Sequence, residues 1–325
     1  MENTRLIAPE NGETVPLQTE LQKRFSDYSM MDEFEALLEQ ISETGGGERS
    51  RLLPVTLQWE TELPCSVVEL SLNKDFSAAQ RFSVSGETLE LDNPQTGCTY
   101  YWRVNGSAPQ CFCTEYAAPR WIHADGCENI RDCGSWTTAD GKRLRQGLAY
   151  RGVKLEDSVT ADGIAALRKL GIRTEIDLRA EAAGELDTSP LGADVQYVQF
   201  PVKGYDEFFG ENTKDLFAFL ADETNYPVYF HCAGGADRTG TLAFLLGAIL
   251  GVDEETLLRD YEWTMLPGPE TELRRSRWGE LFLRLADALN APENGEGDLC
   301  QKALRVLYRY GVTEETMQRI RDIFI

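Results

Sequence analysis

The sequence predicts a two-domain protein, with an N-terminal all-β domain followed by an α/β domain built on a mostly parallel sheet. Its 325 residues exceed the usual span of a single hydrophobic core. Short alternating apolar and polar runs fill residues 1–118, as in strands with one buried face. In residues 119–325, apolar strand-like runs alternate with longer helical patterns, which favours a central sheet flanked by helices.

Five alternating runs predict that the N-terminal domain is a β-sandwich. They lie at residues 55–59, 66–71, 82–84, 88–91 and 99–104. The Leu-x-Trp pattern in the first run and the Tyr-Tyr-Trp-Arg-Val string in the last resemble a fibronectin type III-like module, an immunoglobulin-like sandwich. Trp59 and Trp102 are then expected in the core. A helical pattern near 19–43 is predicted to be an insertion into this domain.

The C-terminal domain contains the alternation that is typical of a parallel sheet. Strand patterns occupy residues 172–178, 195–200 and 228–230, and helical patterns occupy 160–170, 216–220, 241–250 and 254–264. The loop that follows residue 230 should therefore lie at the carboxyl end of a central strand. Open α/β sheets bind their ligands at that edge.

That loop, within the string YFHCAGGADRTG at residues 229–240, carries the clearest chemical pattern in the chain. A helix that begins after it would direct backbone N–H groups and the positive end of its dipole toward one point. Gly234 and Gly235 permit the backbone angles that such a nest of amides requires. The pattern predicts an oxyanion cradle. Its phosphate-binding backbone is predicted to comprise Ala233, Gly234, Gly235, Ala236, Asp237 and Arg238.

Four side chains of this string have predicted roles in catalysis. Cys232, at a helix N-terminus and near a guanidinium, is expected to be a nucleophilic thiolate. Arg238 offers a planar fork of donors that matches two phosphate oxygens and follows the charge that develops in the transition state. Thr239 is expected to donate to the thiolate and to ease its departure from phosphorus. His231 is expected to orient the loop, because a thiolate needs no base.

The string resembles the Cys-x5-Arg-[Ser/Thr] phosphate loop of cysteine-dependent tyrosine and dual-specificity phosphatases. Blocks at 129–134, 141–152 and 170–179 also resemble the bacterial tyrosine-phosphatase family that includes triple-specificity lipid and protein phosphatases. This resemblance covers residues 119–325 and implies phosphomonoester hydrolysis through a phosphocysteine. That family's loop often has Lys where this chain has Ala236, which disfavours highly charged phosphoinositides. An ATP-binding P-loop is excluded, because no Gly-Lys-[Ser/Thr] follows the glycines.

Three aspartates are candidates for the general acid that protonates the leaving group. Asp237 ranks first, because it lies in the loop beside Arg238, as in loops of the myotubularin-like lipid phosphatases; a salt bridge within the loop is the structural alternative. Asp177 ranks second, as the Asp of the family's I-D-L-R block, and its structural alternative is to fix Arg179. Asp206 ranks third, in a Gly-containing segment that would suit a lid or cap the next helix.

Composition narrows the partners and the cofactors. A formal net charge of −22 disfavours binding to nucleic acid or to anionic membranes. No apolar run reaches the ~20 residues of a membrane span, and the N-terminus has no signal-peptide pattern, so a cytoplasmic location is the default expectation. The spacing of cysteines 111, 113, 127 and 133 does not match a structural zinc site. No metal or other cofactor is therefore predicted.

The sequence thus predicts an enzyme of the protein-tyrosine-phosphatase type that acts on a phosphorylated protein or a small phosphomonoester. A dual-specificity, phosphoinositide or inositol-phosphate phosphatase with the same mechanism stays open. A catalytically weak phosphate-binding scaffold is the alternative from another functional class. Three roles remain open for the N-terminal domain. It can be a spacer, a substrate-positioning domain or a site for a protein partner.

Overall fold

The computed structural model describes residues 4–27, 50–180, 187–202, 210–266 and 280–325. Backbone packing divides the chain into two compact units, Met1–Lys23 with Leu52–Arg120 and Arg24–Arg51 with Trp121–Ile325. The change from the first unit to the second between Arg120 and Trp121 lies close to the predicted boundary after residue 118. The described residues 24–27 and 50–51 group with the second unit, whereas the sequence placed them in the first domain. Among the described helices, none has the length and apolarity that a membrane crossing requires.

The first unit is built from two sheets with strand orders β1-β3-β6 and β2-β8-β7-β4-β5. All pairs in these sheets are antiparallel except β2 with β8. The strands are β1 (Arg5–Ala8), β2 (Glu13–Val15), β3 (Val55–Glu60), β4 (Ser66–Ser71), β5 (Gln80–Val84), β6 (Thr88–Leu91), β7 (Thr99–Val104) and β8 (Gln110–Thr114).

Alternation along β3 and β7 buries one face of each strand, as the sequence pattern predicts. Trp59 and Trp102 are fully buried, and the Trp59 indole N–H donates to Ser66 Oγ at 3.0 Å. Of the helical pattern near 19–43, the structure describes helix α1 (Glu20–Asp27). The remainder of that pattern, residues 28–43, lies outside the described residues.

The second unit has a six-stranded sheet in the order β13-β12-β14-β11-β10-β9. Its four strands β13, β12, β14 and β11 run parallel, and β10 pairs antiparallel with β11. The strands are β9 (Arg120–Trp121), β10 (Arg131–Asp132), β11 (Ala149–Gly152), β12 (Thr174–Arg179), β13 (Gln196–Val202) and β14 (Val228–His231).

Helices follow the parallel strands and supply much of the core of this unit. They are α2 (Ala161–Lys169), α3 (Glu211–Leu220), α4 (Asp237–Leu250), α5 (Glu254–Glu262), α6 (Glu280–Leu289), α7 (Leu299–Arg309) and α8 (Glu314–Phe324). Short 3-10 helices lie at Cys133–Ser135, Glu223–Asn225, Trp263–Met265 and Pro292–Asn294.

Helix α4 is apolar on almost every side and is buried along nearly its whole length. It ends at Gly251, whose φ of 78° is the left-handed conformation that terminates many helices. Because β14 lies between β11 and β12, the connection from β14 to α4 lies at the carboxyl edge of the parallel strands, in the middle of the sheet. The sheet topology therefore places residues 232–236 where α/β proteins bind ligands.

Candidate active site

Residues 232–236 connect β14 to α4. We call residues 232–238, which include Asp237 and Arg238 at the start of α4, the phosphate loop. Cys232 follows the last residue of β14, and its side chain is 3% exposed. Ala233 is exposed, whereas Gly235 and Ala236 are buried. A nucleophilic side chain at the start of this loop thus lies between a buried strand and the N-terminus of a buried helix.

Three carbonyl groups of the phosphate loop are held outward by side chains from other elements. Asn129 Nδ2 donates to the Gly234 carbonyl at 3.1 Å. One Arg151 nitrogen donates to the carbonyls of Gly235 at 3.1 Å and Ala236 at 3.2 Å. The C=O and N–H of one planar trans peptide unit point in opposite directions. The N–H groups of the three following residues are therefore directed to the opposite side of the loop.

These amides are the candidates for the anion-binding nest that the sequence pattern predicts. Within the described part of the chain, no backbone N–H of residues 233–236 donates a hydrogen bond to the protein. Successive N–H groups without a protein acceptor, at the N-terminus of a helix, create a concave site for an anion. The loop can therefore bind the oxygens of a phosphate through its backbone.

Gly235 is required by the geometry of the loop. Its φ of +65° is left-handed, and a Cβ built at this position would lie 2.4 Å from the carbonyl carbon of Gly152 and 2.8 Å from Val153 N. The end of β11 therefore packs directly against the phosphate loop. The Lys154 N–H also donates to the Ala233 carbonyl at 3.3 Å, which joins the segment after β11 to the loop.

Two buried arginines and one buried aspartate form a network behind the loop. Arg131 and Arg151 are fully buried and Asp260 is 4% exposed. Arg131 Nε donates to Asp260 Oδ1 at 2.9 Å, and Arg151 donates to Asp260 Oδ2. Arg131 also donates to Asn129 Oδ1 at 2.6 Å. Asn129 and Arg151 are the residues that fix the loop carbonyls. Asp260 on α5 holds Arg151 directly, and it holds Asn129 through Arg131.

The charges of this network set the ionisation of its members. Burial alone would raise the pKa of Asp260, but the charges of Arg131 and Arg151 outweigh burial and lower it. Burial and the neighbouring Arg151 charge lower the pKa of Arg131 to about 10. Asp260 is therefore ionised and Arg131 protonated near neutral pH, and arginine side chains such as Arg151 carry a positive charge in proteins. Two cations and one anion leave a net positive charge behind the phosphate loop, which favours anion binding.

His231 lies near two buried carboxylates of the neighbouring strand β12, those of Glu175 and Asp177. Its Nε2 is 2.9 Å from Glu175 Oε1, and its Nδ1 is 3.2 Å from the Cys232 carbonyl oxygen. Glu175 also accepts a hydrogen bond from the Ser189 hydroxyl. The imidazole therefore fixes the backbone at Cys232 to β12, and its contacts are those of a group that orients the loop.

Asp177 lies at the end of β12 in an ion pair with Arg179. Arg179 NH2 donates to Asp177 Oδ2 at 2.8 Å, and the Tyr197 hydroxyl donates to the same oxygen at 2.6 Å. Burial would raise the pKa of Asp177, but the hydrogen bonds from Arg179, the nearby His231 and Tyr197 together lower it. Arg179 also pairs with Glu156 in the segment after β11. Asp177 is therefore held as a carboxylate that fixes Arg179.

Asp237 is the first residue of α4, and its side chain is 9% exposed. Its Oδ1 accepts a hydrogen bond from the Tyr261 hydroxyl at 2.7 Å. Arg238 follows it and is partly exposed, while Thr239 is fully buried. The Thr239 hydroxyl has no hydrogen-bond partner among the described residues. The third aspartate, Asp206, lies outside the described residues, as do the basic residues 274–277.

Comparison with known proteins identifies the family. The family model described as "Tyrosine phosphatase family" matches residues 122–324, which is more than half of the chain. The protein belongs to the tyrosine phosphatase family.

Two curated relatives carry names from this family. A tyrosine-protein phosphatase of Nostoc commune is 31% identical over 147 residues, which are 43% of this chain and 48% of the relative. A Cupriavidus necator protein assigned by its name to the tyrosine-protein phosphatases is 27% identical over 165 residues, or 42% of this chain and 60% of the relative. The matches thus span about half of the length of these relatives.

A solved structure of P. aeruginosa TpbA, a cysteine-to-serine variant in complex with phosphotyrosine, is also similar. It shares 21% identity, covers 44% of this chain and 87% of its own, and has a TM-score of 0.29. At that score the similarity carries no argument about this member of the family.

The described residues contain no group of three or more His, Cys, Asp or Glu side chains that could hold a metal ion. The cysteines at 111, 113, 127 and 133 are all free thiols.

The sequence patterns do not indicate the roles of several residues that surround the loop. Asn129 and Arg151 fall inside two of the blocks that resemble the family, but the pattern did not indicate what they bind. The sequence offers one signal of burial for Glu175, Asp260 and Tyr261. Each of them lies beside apolar residues of a strand or helix that is buried. Charged residues are almost never fully buried unless they are paired, so Glu175 and Asp260 could have been recognised as partners of buried cations.

Proposed function

We propose that this protein is a protein-tyrosine phosphatase that cleaves phosphomonoesters through a phosphocysteine intermediate. The observation that carries the proposal is the phosphate loop, in which Asn129 and Arg151 hold the carbonyls outward beside Cys232. Membership of the tyrosine phosphatase family supports the same chemistry. The names of the two curated relatives agree with it.

In the first step, the Cys232 thiolate attacks the phosphorus atom of the substrate. The S–P bond forms and the ester O–P bond breaks, while the backbone amides of the loop and the Arg238 guanidinium bind the non-bridging oxygens. These donors face charge that develops in the transition state, where fixed dipoles are most effective. The leaving oxygen takes its proton from a carboxylic acid.

In the second step, water attacks the phosphocysteine and the S–P bond breaks. The carboxylate formed in the first step takes a proton from this water, and the thiolate leaves. We assign the Thr239 hydroxyl to the thiolate at this point, because it is buried without a partner among the described residues. An unsatisfied buried hydroxyl is costly, and an anionic acceptor would satisfy it. His231 keeps the backbone at Cys232 in place through Glu175.

We assign the general acid to Asp237. Asp177 is the weaker candidate, because its ion pair with Arg179 favours the ionised form, and Arg179 and Tyr197 together occupy its oxygens. A general acid must carry a proton at the operating pH, and an ion pair with a buried guanidinium opposes this. Asp177 then acts as a residue that fixes Arg179 and, through it, Glu156. Asp206 keeps its place as the third candidate.

Asparagine variants at the three aspartates should separate these roles. For phenyl phosphate, which has a poor leaving group, Asp237→Asn should lower kcat about 10²- to 10⁴-fold, the usual contribution of a general acid. For p-nitrophenyl phosphate the loss should be much smaller, because its leaving group needs little protonation. Asp177→Asn and Asp206→Asn should not show this dependence on the leaving group. Assignment of the acid to Asp237 fails if another variant shows the dependence instead.

The substrate class that we propose is phosphotyrosine in proteins or in peptides. Ala236 leaves the loop without a lysine, so a highly phosphorylated lipid would lack a cation within the loop for its additional phosphates. The test is a comparison of kcat/KM for phosphotyrosine peptides, the same peptides with phosphoserine, and phosphoinositides. We expect phosphotyrosine to be hydrolysed best. Comparable turnover of all three would indicate a dual-specificity or lipid phosphatase, and phosphate binding without turnover of any would indicate a scaffold protein.

For the first unit, we propose a fibronectin type III-like sandwich that binds a protein partner or positions the substrate. Its two sheets, its mostly antiparallel pairing and its buried Trp59 and Trp102 support a sandwich. A protein partner of this unit should bind to the protein in a pull-down assay. Substitutions at Val67 or Leu72, which are exposed on this unit, should weaken that binding.

A further inference from the structure

Tyr261 on α5 contacts the phosphate loop from a part of the chain that no sequence motif marks. The residue is 4% exposed, and its hydroxyl donates to Asp237 Oδ1 at 2.7 Å. The two residues are 24 positions apart in the chain. The hydrogen bond therefore depends on the packing of α5 against the first turn of α4.

The phenol ring is fixed by its surroundings. A Cβ built at Gly240 would lie 2.9 Å from Tyr261 Cδ2, so the ring packs against the first turn of α4 where glycine leaves room. The Thr264 hydroxyl donates to the backbone carbonyl of Tyr261 at 2.7 Å, which fixes the main chain at this residue. The ring is buried and packs against Gly240, and its hydroxyl is bonded to Asp237, so its rotamer is restricted.

The residue before Tyr261 is Asp260, which holds Arg131 and Arg151. Arg151 in turn fixes the carbonyls of Gly235 and Ala236. Two neighbouring residues of α5 thus act on the two functional parts of the loop, Asp260 through Arg151 and Tyr261 directly. Asp260 acts on the amides that bind phosphate, and Tyr261 acts on the carboxyl group at the start of the helix.

We propose that Tyr261 is a positioning residue for proton transfer and sets which oxygen of Asp237 carries the acid proton. This inference rests on the proposed function, with Asp237 as the general acid. Because Oδ1 accepts the phenol hydrogen, the proton of the carboxylic acid is held on Oδ2. In the first chemical step the Oδ2–H bond breaks and the same proton forms the O–H bond of the leaving alcohol or phenol, while Tyr261 keeps its own proton.

The consequence is specific to substrates that need the acid. Loss of the phenol hydroxyl lets the carboxyl group rotate and lets its proton reside on either oxygen, so fewer molecules have the geometry for transfer. Asp237 is neutral while it carries the acid proton, and the net strength of a hydrogen bond between neutral groups corresponds to about 2- to 10-fold in rate. Substrates with good leaving groups should be nearly unaffected, and KM should change little because Tyr261 does not bind phosphate.

The test is the variant Tyr261→Phe, which keeps the ring and removes only the hydroxyl. For phenyl phosphate its kcat should fall about 2- to 10-fold, whereas for p-nitrophenyl phosphate it should stay nearly unchanged. In a background of Asp237→Asn the same change should have no further effect on either substrate, because coupled residues are not additive. The matched control is Tyr226→Phe, which removes a buried hydroxyl that donates to the Leu220 carbonyl at 2.7 Å.

The outcomes separate this inference from the function on which it rests. If Asp237→Asn shows the leaving-group dependence and Tyr261→Phe resembles Tyr226→Phe, the role of Tyr261 is refuted while the proposed function stands. If Tyr261→Phe slows both substrates equally, the hydroxyl is merely structural and the inference is again refuted. If wild type hydrolyses neither substrate, the proposed function itself fails.

Discussion

Replacement of Cys232 by serine is expected to lower kcat for every phosphomonoester by about 10⁴-fold or more, as removal of a catalytic nucleophile does in other enzymes. An alcohol is far less nucleophilic than a thiolate near neutral pH, because its proton must be removed before or during the attack. Phosphate binding should survive, because the donors are the backbone amides and Arg238. The Asn129 and Arg151 contacts that orient those amides do not involve the Cys232 side chain.

Two measurements check this result. Steady-state hydrolysis of p-nitrophenyl phosphate gives kcat, and inhibition or calorimetry with inorganic phosphate gives the affinity of the loop. The control variant is Cys300→Ser, because Cys300 lies in the same unit and burial raises the pKa of its thiol to about 12. Cys300→Ser should retain wild-type kcat. Undiminished hydrolysis by Cys232→Ser would contradict the mechanism.

Asp260→Asn is expected to lower the free energy of unfolding by about 3–5 kcal/mol, the usual result of removing one partner from a buried ion pair. The substitution conserves shape but leaves Arg131 and Arg151 without their shared carboxylate. Both guanidiniums are fully buried. Two like charges would then face each other in a medium of low dielectric constant, where repulsion is strong.

Urea unfolding at neutral pH measures this loss, and Asp194→Asn is its control. Asp194 pairs with Arg168 at 2.9 Å on the surface, where an ion pair contributes only about 0–1 kcal/mol. Asp260→Asn should also weaken binding of inorganic phosphate, because Arg151 fixes two loop carbonyls. Equal stability of the two variants would show that the network does not hold the loop.

The same network predicts a pH dependence of stability. The folded-state pKa of Asp260 is lowered by Arg131 and Arg151, so its stabilising contribution is present above the unfolded-state pKa. It is lost as the pH falls through the lower folded-state value. The difference in stability between wild type and Asp260→Asn should therefore shrink in acid.

The sequence located the phosphate loop because everything that defines it is local. Cys232, the glycines and Arg238 lie within seven residues, and the flanking apolar runs place them between a strand and a helix. Trp59 and Trp102 were predictable for a similar reason, since alternation along a strand indicates its buried face. Asp177 shows the limit of such patterns, because its pairing with Arg179 was foreseen only as an alternative to catalysis.

The support behind the loop was not predictable, because it depends on contacts between distant residues. Arg131 and Asp260 are separated by 129 positions, and Asn129 and Gly234 by 105. The charge of a residue indicates that a buried partner must exist, but which partner it has is set by the sheet order and by helix packing.

The most direct test of the proposed mechanism is to trap the covalent intermediate. The protein is mixed with excess p-nitrophenyl phosphate, quenched in acid within the first turnovers, digested and examined by mass spectrometry. The mechanism predicts one phosphoryl group on the peptide that contains Cys232, and none on that peptide in Cys232→Ser. Rapid hydrolysis with the phosphoryl group on another residue, or with Cys232 unmodified while the intermediate should accumulate, would contradict it.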